Sequence, residues 1–241
     1  MKKLLAFTLA ETLIVMGIIG VVAALTLPNL NSSTGDREKV AKVKKIYQNL
    51  NDAFGRAEAV YGPFEEWFVN DSDIKQKTKR FAERMTEFMK ISKNCEFDGA
   101  GCFTTGKYYM LNGQQIGQDF AGDKNCYKVV TADGTSMAFY NRQITIDIDG
   151  SNKGSYTSGK DLFRFGVSDS NGLSDGELSI YSPSMYRKND GIIMMELCNY
   201  GSGGERWILE FGNMDYLKAD SNCKCKNSSI ILDRVNNTTC K

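Results

Sequence analysis

The sequence of 241 residues contains no histidine and only three prolines. Histidine is the most common general base and metal ligand in proteins, so its absence excludes Ser/His and Cys/His nucleophile pairs. Charge of one sign is not in excess, since 30 basic and 29 acidic residues are mixed along the chain. The sequence therefore has no basic face, and direct nucleic-acid binding is not predicted. These absences favour a protein that is not an enzyme, whereas the 41% hydrophobic content is sufficient for a globular core.

Seven cysteines are present, all beyond residue 94. Without histidine a zinc site would need cysteine or carboxylate ligands alone, so disulfides formed in an oxidising compartment are the simpler interpretation. Cys95 and Cys102 bracket a short loop and are the best predicted disulfide. Cys223 and Cys225 lack a partner Cys-x-x-Cys pair for a metal, and we expect them to form disulfides with cysteines such as Cys198 and Cys240, with the connectivity left open. The odd number leaves at least one thiol free or paired with another chain.

The amino-terminal segment is an apolar run of 21 residues, Phe7 to Leu27, whose only charge is Glu11. As a helix this run would be about 30 Å long, enough to cross a bilayer. Lys2 and Lys3 predict that the amino terminus is cytoplasmic. A carboxylate in such a segment is unfavourable unless it has a partner. A conventional secretory signal peptide, cleaved near residues 22–26, is the alternative interpretation.

The stretch AFTLAETLIVMGIIGVVAALTLPNL resembles the class III signal of type IV pilins and type II secretion pseudopilins. The resemblance implies cleavage by a prepilin peptidase between Ala6 and Phe7, followed by N-methylation of Phe7. Counted from Phe7, Glu11 is the fifth residue and Pro28 the twenty-second, as in that family. Ala6 stands where the family mostly has glycine.

The resemblance gives Glu11 a role in subunit assembly. Its carboxylate would pair with the amino terminus of Phe7 on a neighbouring subunit and so select the register of a helical filament. The implied partners are other pilin or pseudopilin subunits, a prepilin peptidase, an inner-membrane assembly platform and, before assembly, membrane lipid. The implied location is the inner membrane in a single pass, followed by a periplasmic or cell-surface filament.

The predicted domains are a leader at 1–6, a membrane-spanning polymerisation helix at 7–30 and a globular domain at 31–241. Pro28 predicts a kink or a loosened helix from Leu27 to Asn31, with helix resuming near Asp36. A further helix is predicted from Asp73 to Ile91, capped by Asp71, Ser72 or Asp73. The predicted strands are 107–111, 136–140, 143–148, 178–181 and 206–211. We therefore expect an α+β, pilin-like fold, in which a long N-terminal helix, half membrane-spanning and half amphipathic, packs on an antiparallel sheet.

The densest polar stretch runs from Ile144 to Phe165 and contains Asp147, Asp149 and Asp161. Asp147 and Asp149 leave the same face of a strand before a glycine-rich loop, and hard oxygen ligands of this kind suit a structural calcium ion. The stretch also resembles the aspartate- and glycine-containing loop of pseudopilins, some of which bind calcium. The alternative is a solvated turn whose aspartates cap backbone amides. A glycosidase pair is not indicated, because no apolar pocket can be recognised around these residues.

The sequence therefore predicts a non-enzymatic structural subunit of a type IV pilus-like or type II secretion pseudopilus filament that requires no cofactor. The choice between a pilus, a secretion pseudopilus and a DNA-uptake filament stays open. The alternative function is a membrane-anchored or secreted binding protein or enzyme with a conventional signal peptide.

Overall fold

The structure, a computed structural model, describes residues 9–68, 73–151, 153–167, 180–181 and 194–240, with the backbone alone for 23–34 and 180–181. The chain divides into two compact units, Met1–Glu38 and Lys39–Lys241. The predicted cleavage and methylation site, Ala6 and Phe7, lies outside the described residues.

Helix α1 (Leu9–Tyr61) begins in the first unit with an exposed apolar segment, residues 9–22. Within the described part of the chain, no helix combines the length and the apolar character needed to cross a membrane. The prediction that one half of the N-terminal helix is a long, membrane-spanning apolar segment is therefore wrong, and the pilin-like fold defined by that segment is corrected to a more general α+β fold.

The backbone of α1 is helical through Pro28, so the predicted loosening from Leu27 to Asn31 is also wrong. Proline removes one backbone hydrogen bond, and the turns on either side keep theirs. The kink at Pro28 stays a prediction. The helix ends at Tyr61, followed by Gly62 with φ of 81° and by Pro63, two residue types that commonly follow a helix end.

The second unit contains helix α2 (Ile74–Thr86) and an antiparallel sheet. Asp73 caps α2, since its side chain accepts a hydrogen bond of 3.0 Å from the backbone amide of Lys75. The strands follow one another in the sheet in chain order. They are β1 (Ile91–Glu96), β2 (Tyr127–Thr131), β3 (Ser136–Tyr140), β4 (Gln143–Asp147), β5 (Leu162–Val167) and β6 (Ile180–Tyr181). The α+β class is thus confirmed.

Two of the predicted strands, 136–140 and 143–148, correspond closely to β3 and β4. The segment 107–111 forms only isolated bridges at Tyr109, and the predicted strand 206–211 is instead part of helix α3 (Gly204–Phe211). Trp207, Ile208 and Phe211 have the spacing of one helix face, and Trp207 and Ile208 are buried. Of the predicted strand 178–181, residues 178–179 lie outside the described residues.

The main core lies between the second part of α1 and one face of the sheet. The buried residues of α1 recur at helical spacing: Val43, Ile46, Leu50, Ala53, Phe54 and Ala57. They share a cluster with Val129, Met137, Phe139, Ile144 and Ile146 of the sheet. A smaller cluster on the opposite sheet face contains Phe103, Tyr108, Phe120, Ala138 and Leu162. Because β4 alternates, Asp147 points to the face opposite that of Ile146.

Candidate functional site

The structure brings together the three predicted aspartates in the connection from β4 to β5. Asp147 is the last residue of β4, Asp161 directly precedes β5, and Asp149 lies in the loop between them. Asp147 and Asp161 are fully buried, whereas the side chain of Asp149 is 26% exposed. Buried carboxylates need hydrogen bonds or a counter-charge, and this cluster has both.

The counter-charge is the ammonium group of Lys39 on α1. Its Nζ lies 3.1 Å from Asp149 Oδ2 and 3.9 Å from Asp161 Oδ1, and it donates a hydrogen bond of 3.4 Å to the carbonyl oxygen of Lys160. Lys39 therefore ties the β4–β5 loop to α1. The sequence interpretation missed this residue. The sequence feature that could have identified it is its position four residues before Val43. This spacing places Lys39 on the same face of α1 as the buried residues.

The same aspartates also hold the backbone of the loop. Asp161 accepts hydrogen bonds from the backbone amide and the hydroxyl group of Ser155, and Asp147 accepts one of 3.2 Å from the amide of Asp149. Gly154 has φ of 90°, and a Cβ atom there would lie 2.6 Å from Asp161 Oδ2. Only glycine suits that position. These hydrogen bonds are the amide caps of the alternative interpretation, but that interpretation expected a solvated turn, whereas Asp147 and Asp161 are buried.

Asp147 has the most perturbed acid–base behaviour in this cluster. Burial, and then the negative charge of Asp161, raise the pKa of Asp147 to about 7. The hydroxyl group of Tyr108 donates to Asp147 Oδ2 at 3.4 Å, and burial raises the pKa of Tyr108 as well. Ser136 pairs with Asp147 across the sheet, and its buried hydroxyl group has no hydrogen-bond partner. Burial and the neighbouring carboxylate of Asp161 thus favour the protonated form of Asp147.

The ion pairs and hydrogen bonds of this cluster hold the β4–β5 loop in place and attach it to α1. Among the residues that the structure describes, no three or more acidic, cysteine or histidine side chains are arranged to hold a metal ion. A structural calcium ion at Asp147, Asp149 and Asp161 stays a prediction. The described geometry places the Lys39 ammonium beside two of these carboxylates.

Six of the seven cysteines form disulfides: Cys95–Cys102, Cys198–Cys223 and Cys225–Cys240. The first pair is the one that the sequence predicts, and Cys223 and Cys225 each pair with one of the two expected partners. Cys126 is the free thiol, and it is buried. It donates a hydrogen bond of 3.3 Å to Asp123, and burial together with the charge of Asp123 raises its pKa to about 12. Cys126 is therefore a poor nucleophile.

The predicted assembly residue, Glu11, lies in the first turn of α1 and is exposed. It is surrounded along the helix by exposed apolar side chains. Comparisons of this chain with protein-family models, with curated proteins and with solved structures found no match.

Proposed function

We propose that the chain is a structural subunit of a type IV pilus-like or type II secretion pseudopilus filament. In this proposal a prepilin peptidase cleaves it between Ala6 and Phe7, Phe7 is methylated, and subunits assemble through their amino-terminal helical segments. The partners are other subunits of the filament, the peptidase and an inner-membrane assembly platform. The subunit catalyses no reaction and requires no cofactor.

The observation that carries the proposal is the surface of α1 from Leu9 to Val22. Nine large apolar side chains of this segment are between 51% and 81% exposed: Leu9, Leu13, Ile14, Val15, Met16, Ile18, Ile19, Val21 and Val22. They cover the helix on all sides, and Glu11 is the only charge among them. A helix of this kind is normally buried when it functions, and a contiguous apolar surface marks an interaction site. Packing against the same segment of other subunits would bury it.

The three disulfides support a location outside the cytoplasm for the second unit, because such bonds persist in oxidising compartments. A periplasmic or cell-surface filament has that environment.

Mass spectrometry of the mature amino terminus tests the processing step. We expect a chain that begins with N-methylated Phe7. A chain that begins near Leu25, or that still carries Met1, would contradict the proposal, and a start near Leu25 would favour a secreted protein with a conventional signal peptide.

Assembly is tested with the Glu11→Ala variant. We expect it to be cleaved normally but to form few filaments, since the resemblance assigns the subunit contact to this carboxylate. Glu38→Ala removes another exposed carboxylate of α1 and is the matched control. Normal filament yield from the Glu11→Ala variant, counted by electron microscopy, would refute the role of Glu11.

A further inference from the structure

The loop between Cys225 and Cys240, in the carboxy-terminal part of the second unit, carries three acceptor motifs for N-linked glycosylation. Each motif is an asparagine followed by any residue except proline and then by serine or threonine. The three asparagines of the loop are Asn227, Asn236 and Asn237. Two further motifs begin at Asn31, in helix α1, and at Asn70, which lies outside the described residues. Because the motif is short, its structural setting decides whether it can be modified.

The disulfides around the loop indicate a compartment in which this modification takes place. Cys225–Cys240 closes the loop, and Cys198–Cys223 fixes the chain directly before it. Disulfides form and persist outside the cytoplasm, and N-glycans are attached to surface loops of exported proteins. The cross-links therefore agree with a loop that meets a glycan donor outside the cytoplasm.

The loop is accessible at both motifs. Asn227, Ser229 and Asn236 are exposed, and Thr238 is partly exposed. No helix or strand lies between residues 225 and 240, all of which the structure describes. An exposed, irregular backbone can adapt to the active site of a transferase, whereas Asn31 belongs to the helical backbone of α1.

Hydrogen bonds distinguish the two overlapping motifs at Asn236 and Asn237. The Nδ2 atom of Asn237 donates a hydrogen bond of 3.0 Å to Asp233 Oδ2, and its carbonyl oxygen accepts one of 2.9 Å from the amide of Asp233. Asn236 is bound to Asp233 through its backbone amide, which donates a hydrogen bond of 2.6 Å. Within the described part of the chain, the carboxamides of Asn227 and Asn236 make no hydrogen bond. Their nitrogen atoms are therefore available for a new bond.

The same loop exposes two large apolar side chains. Val235 is 81% exposed and directly precedes Asn236, and Ile231 is 58% exposed. A glycan is bulky and hydrophilic, so a glycan on Asn236 would shield Val235 from other proteins. The modification would thus raise the solubility of this loop.

We propose that Asn227 and Asn236 are acceptors of N-linked glycans, which are transferred outside the cytoplasm from a lipid-linked oligosaccharide pyrophosphate. In the transfer, the Nδ2 atom of the asparagine forms a bond to the anomeric carbon of the donor sugar. The bond between that carbon and the pyrophosphate breaks, the lipid pyrophosphate leaves with the bonding electrons, and the amide loses one proton. The proposal does not depend on filament assembly, because a secreted protein with a conventional signal peptide would expose the same loop.

The test is mass spectrometry of the full-length protein isolated from the cells that naturally produce it. After reduction and alkylation, trypsin cleaves after lysine and arginine and releases residues 227–234 and residues 235–241 as separate peptides. Each peptide contains one of the two proposed sites. We expect both peptides to carry the added mass of a glycan, and we expect electron-transfer fragmentation to locate it on Asn227 and on Asn236.

Two neighbouring threonines provide matched variants. Thr238→Ala removes the motif of Asn236 and keeps that of Asn237, whereas Thr239→Ala does the reverse. We expect the glycan on peptide 235–241 to be lost in Thr238→Ala and retained in Thr239→Ala, and the glycan on Asn227 to be retained in both. Thermal unfolding verifies that both variants keep the fold.

The proposal is overturned if both peptides of the native protein occur only in unmodified form, or if the glycan lies on a serine or threonine hydroxyl group. It is also overturned if Thr238→Ala keeps the glycan of peptide 235–241, since Asn237 would then be the acceptor.

Discussion

Asp147 is a buried residue whose charge state affects the stability of the fold. It is buried, and its pKa is raised to about 7, whereas an aspartate in an unfolded chain titrates near 3.9. Between these two pH values the folded protein retains a proton that the unfolded chain has lost. The free energy of unfolding contributed by Asp147 therefore falls as the pH rises from about 4 to about 7.

We predict that Asp147→Asn is more stable than the wild type at pH 8 and equally stable near pH 4. The gain has an upper limit of about 4 kcal/mol, since one pKa unit corresponds to about 1.4 kcal/mol. Urea unfolding at several pH values measures it. Asp98→Asn, which changes an exposed aspartate, is the control. A stability difference between Asp147→Asn and the wild type that does not vary with pH would contradict the assignment.

Lys39 is a second residue of this site that we expect to affect the stability of the protein. We predict that Lys39→Ala lowers the free energy of unfolding by about 2 kcal/mol, because it leaves the buried Asp161 without its counter-charge. A calcium chelator tests the predicted calcium ion, because a melting temperature of the wild type that does not change with chelator would contradict it. A clear decrease with chelator would instead show that calcium braces Asp147, Asp149 and Asp161.

At the scale of elements, the carboxy-terminal region depends on cross-links more than on regular structure. Cys225–Cys240 closes a loop with a sequence separation of 15 residues, and Asp215 accepts a hydrogen bond of 2.8 Å from the amide of Cys240. We predict that changing both cysteines to serine costs about 3 kcal/mol of unfolding free energy. Denaturant titration measures this cost, and Cys126→Ala is the control that removes a cysteine without removing a disulfide. Equal unfolding midpoints would contradict the prediction.

The amino-terminal cap of α2 provides a prediction about the stability contributed by a single side-chain hydrogen bond. Asp73→Ala removes the hydrogen bond to the amide of Lys75 and should cost about 1 kcal/mol, whereas Asp73→Ser should retain most of the stability. Thermal unfolding of the two variants measures the difference. Equal losses in both would show that the side-chain cap is not what stabilises this end of the helix.

Elements were predictable where the local pattern and the tertiary structure agree. Strands β3 and β4 alternate, and Asp73 is a capping residue of the usual type. Helix α3 was misread as a strand because a short apolar run fits either element, and its bounding glycines, Gly203 and Gly212, have left-handed φ values that mark helix ends. Strand β2 was missed because Lys128 interrupts its run of apolar residues. In the structure this lysine is buried, and its ammonium group donates hydrogen bonds to the carbonyl oxygens of Asp123 and Phe97.

The candidate site was predicted only in part, because some of its contacts join residues that are far apart in the sequence. Sequence spacing puts Asp147 and Asp149 together, but nothing local connects them to Lys39, which is more than one hundred residues away. Contacts of this kind depend on how α1 lies on the sheet. The disulfide partners of Cys223 and Cys225 were left open for a similar reason.

At the scale of the whole molecule, the buried core of the described chain begins at Val43 and belongs to the second unit. We predict that a chain lacking residues 1–38 folds with a melting temperature close to that of the full-length protein and does not assemble into filaments. Calorimetry and electron microscopy measure the two properties. A truncated chain that fails to fold would contradict the prediction that the second unit is self-sufficient.

The position of the disulfides has a mechanical consequence. The first cysteine in the chain is Cys95, so no disulfide joins α1 to the sheet on which it packs. A pulling force applied at the amino terminus would reach the second unit along α1, first at the Lys39 ion pairs and then along the packed stripe that begins at Val43. That contact would be loaded in shear along its length. The disulfides cross-link other parts of the second unit, so the resistance of this contact to the pulling force depends on non-covalent packing.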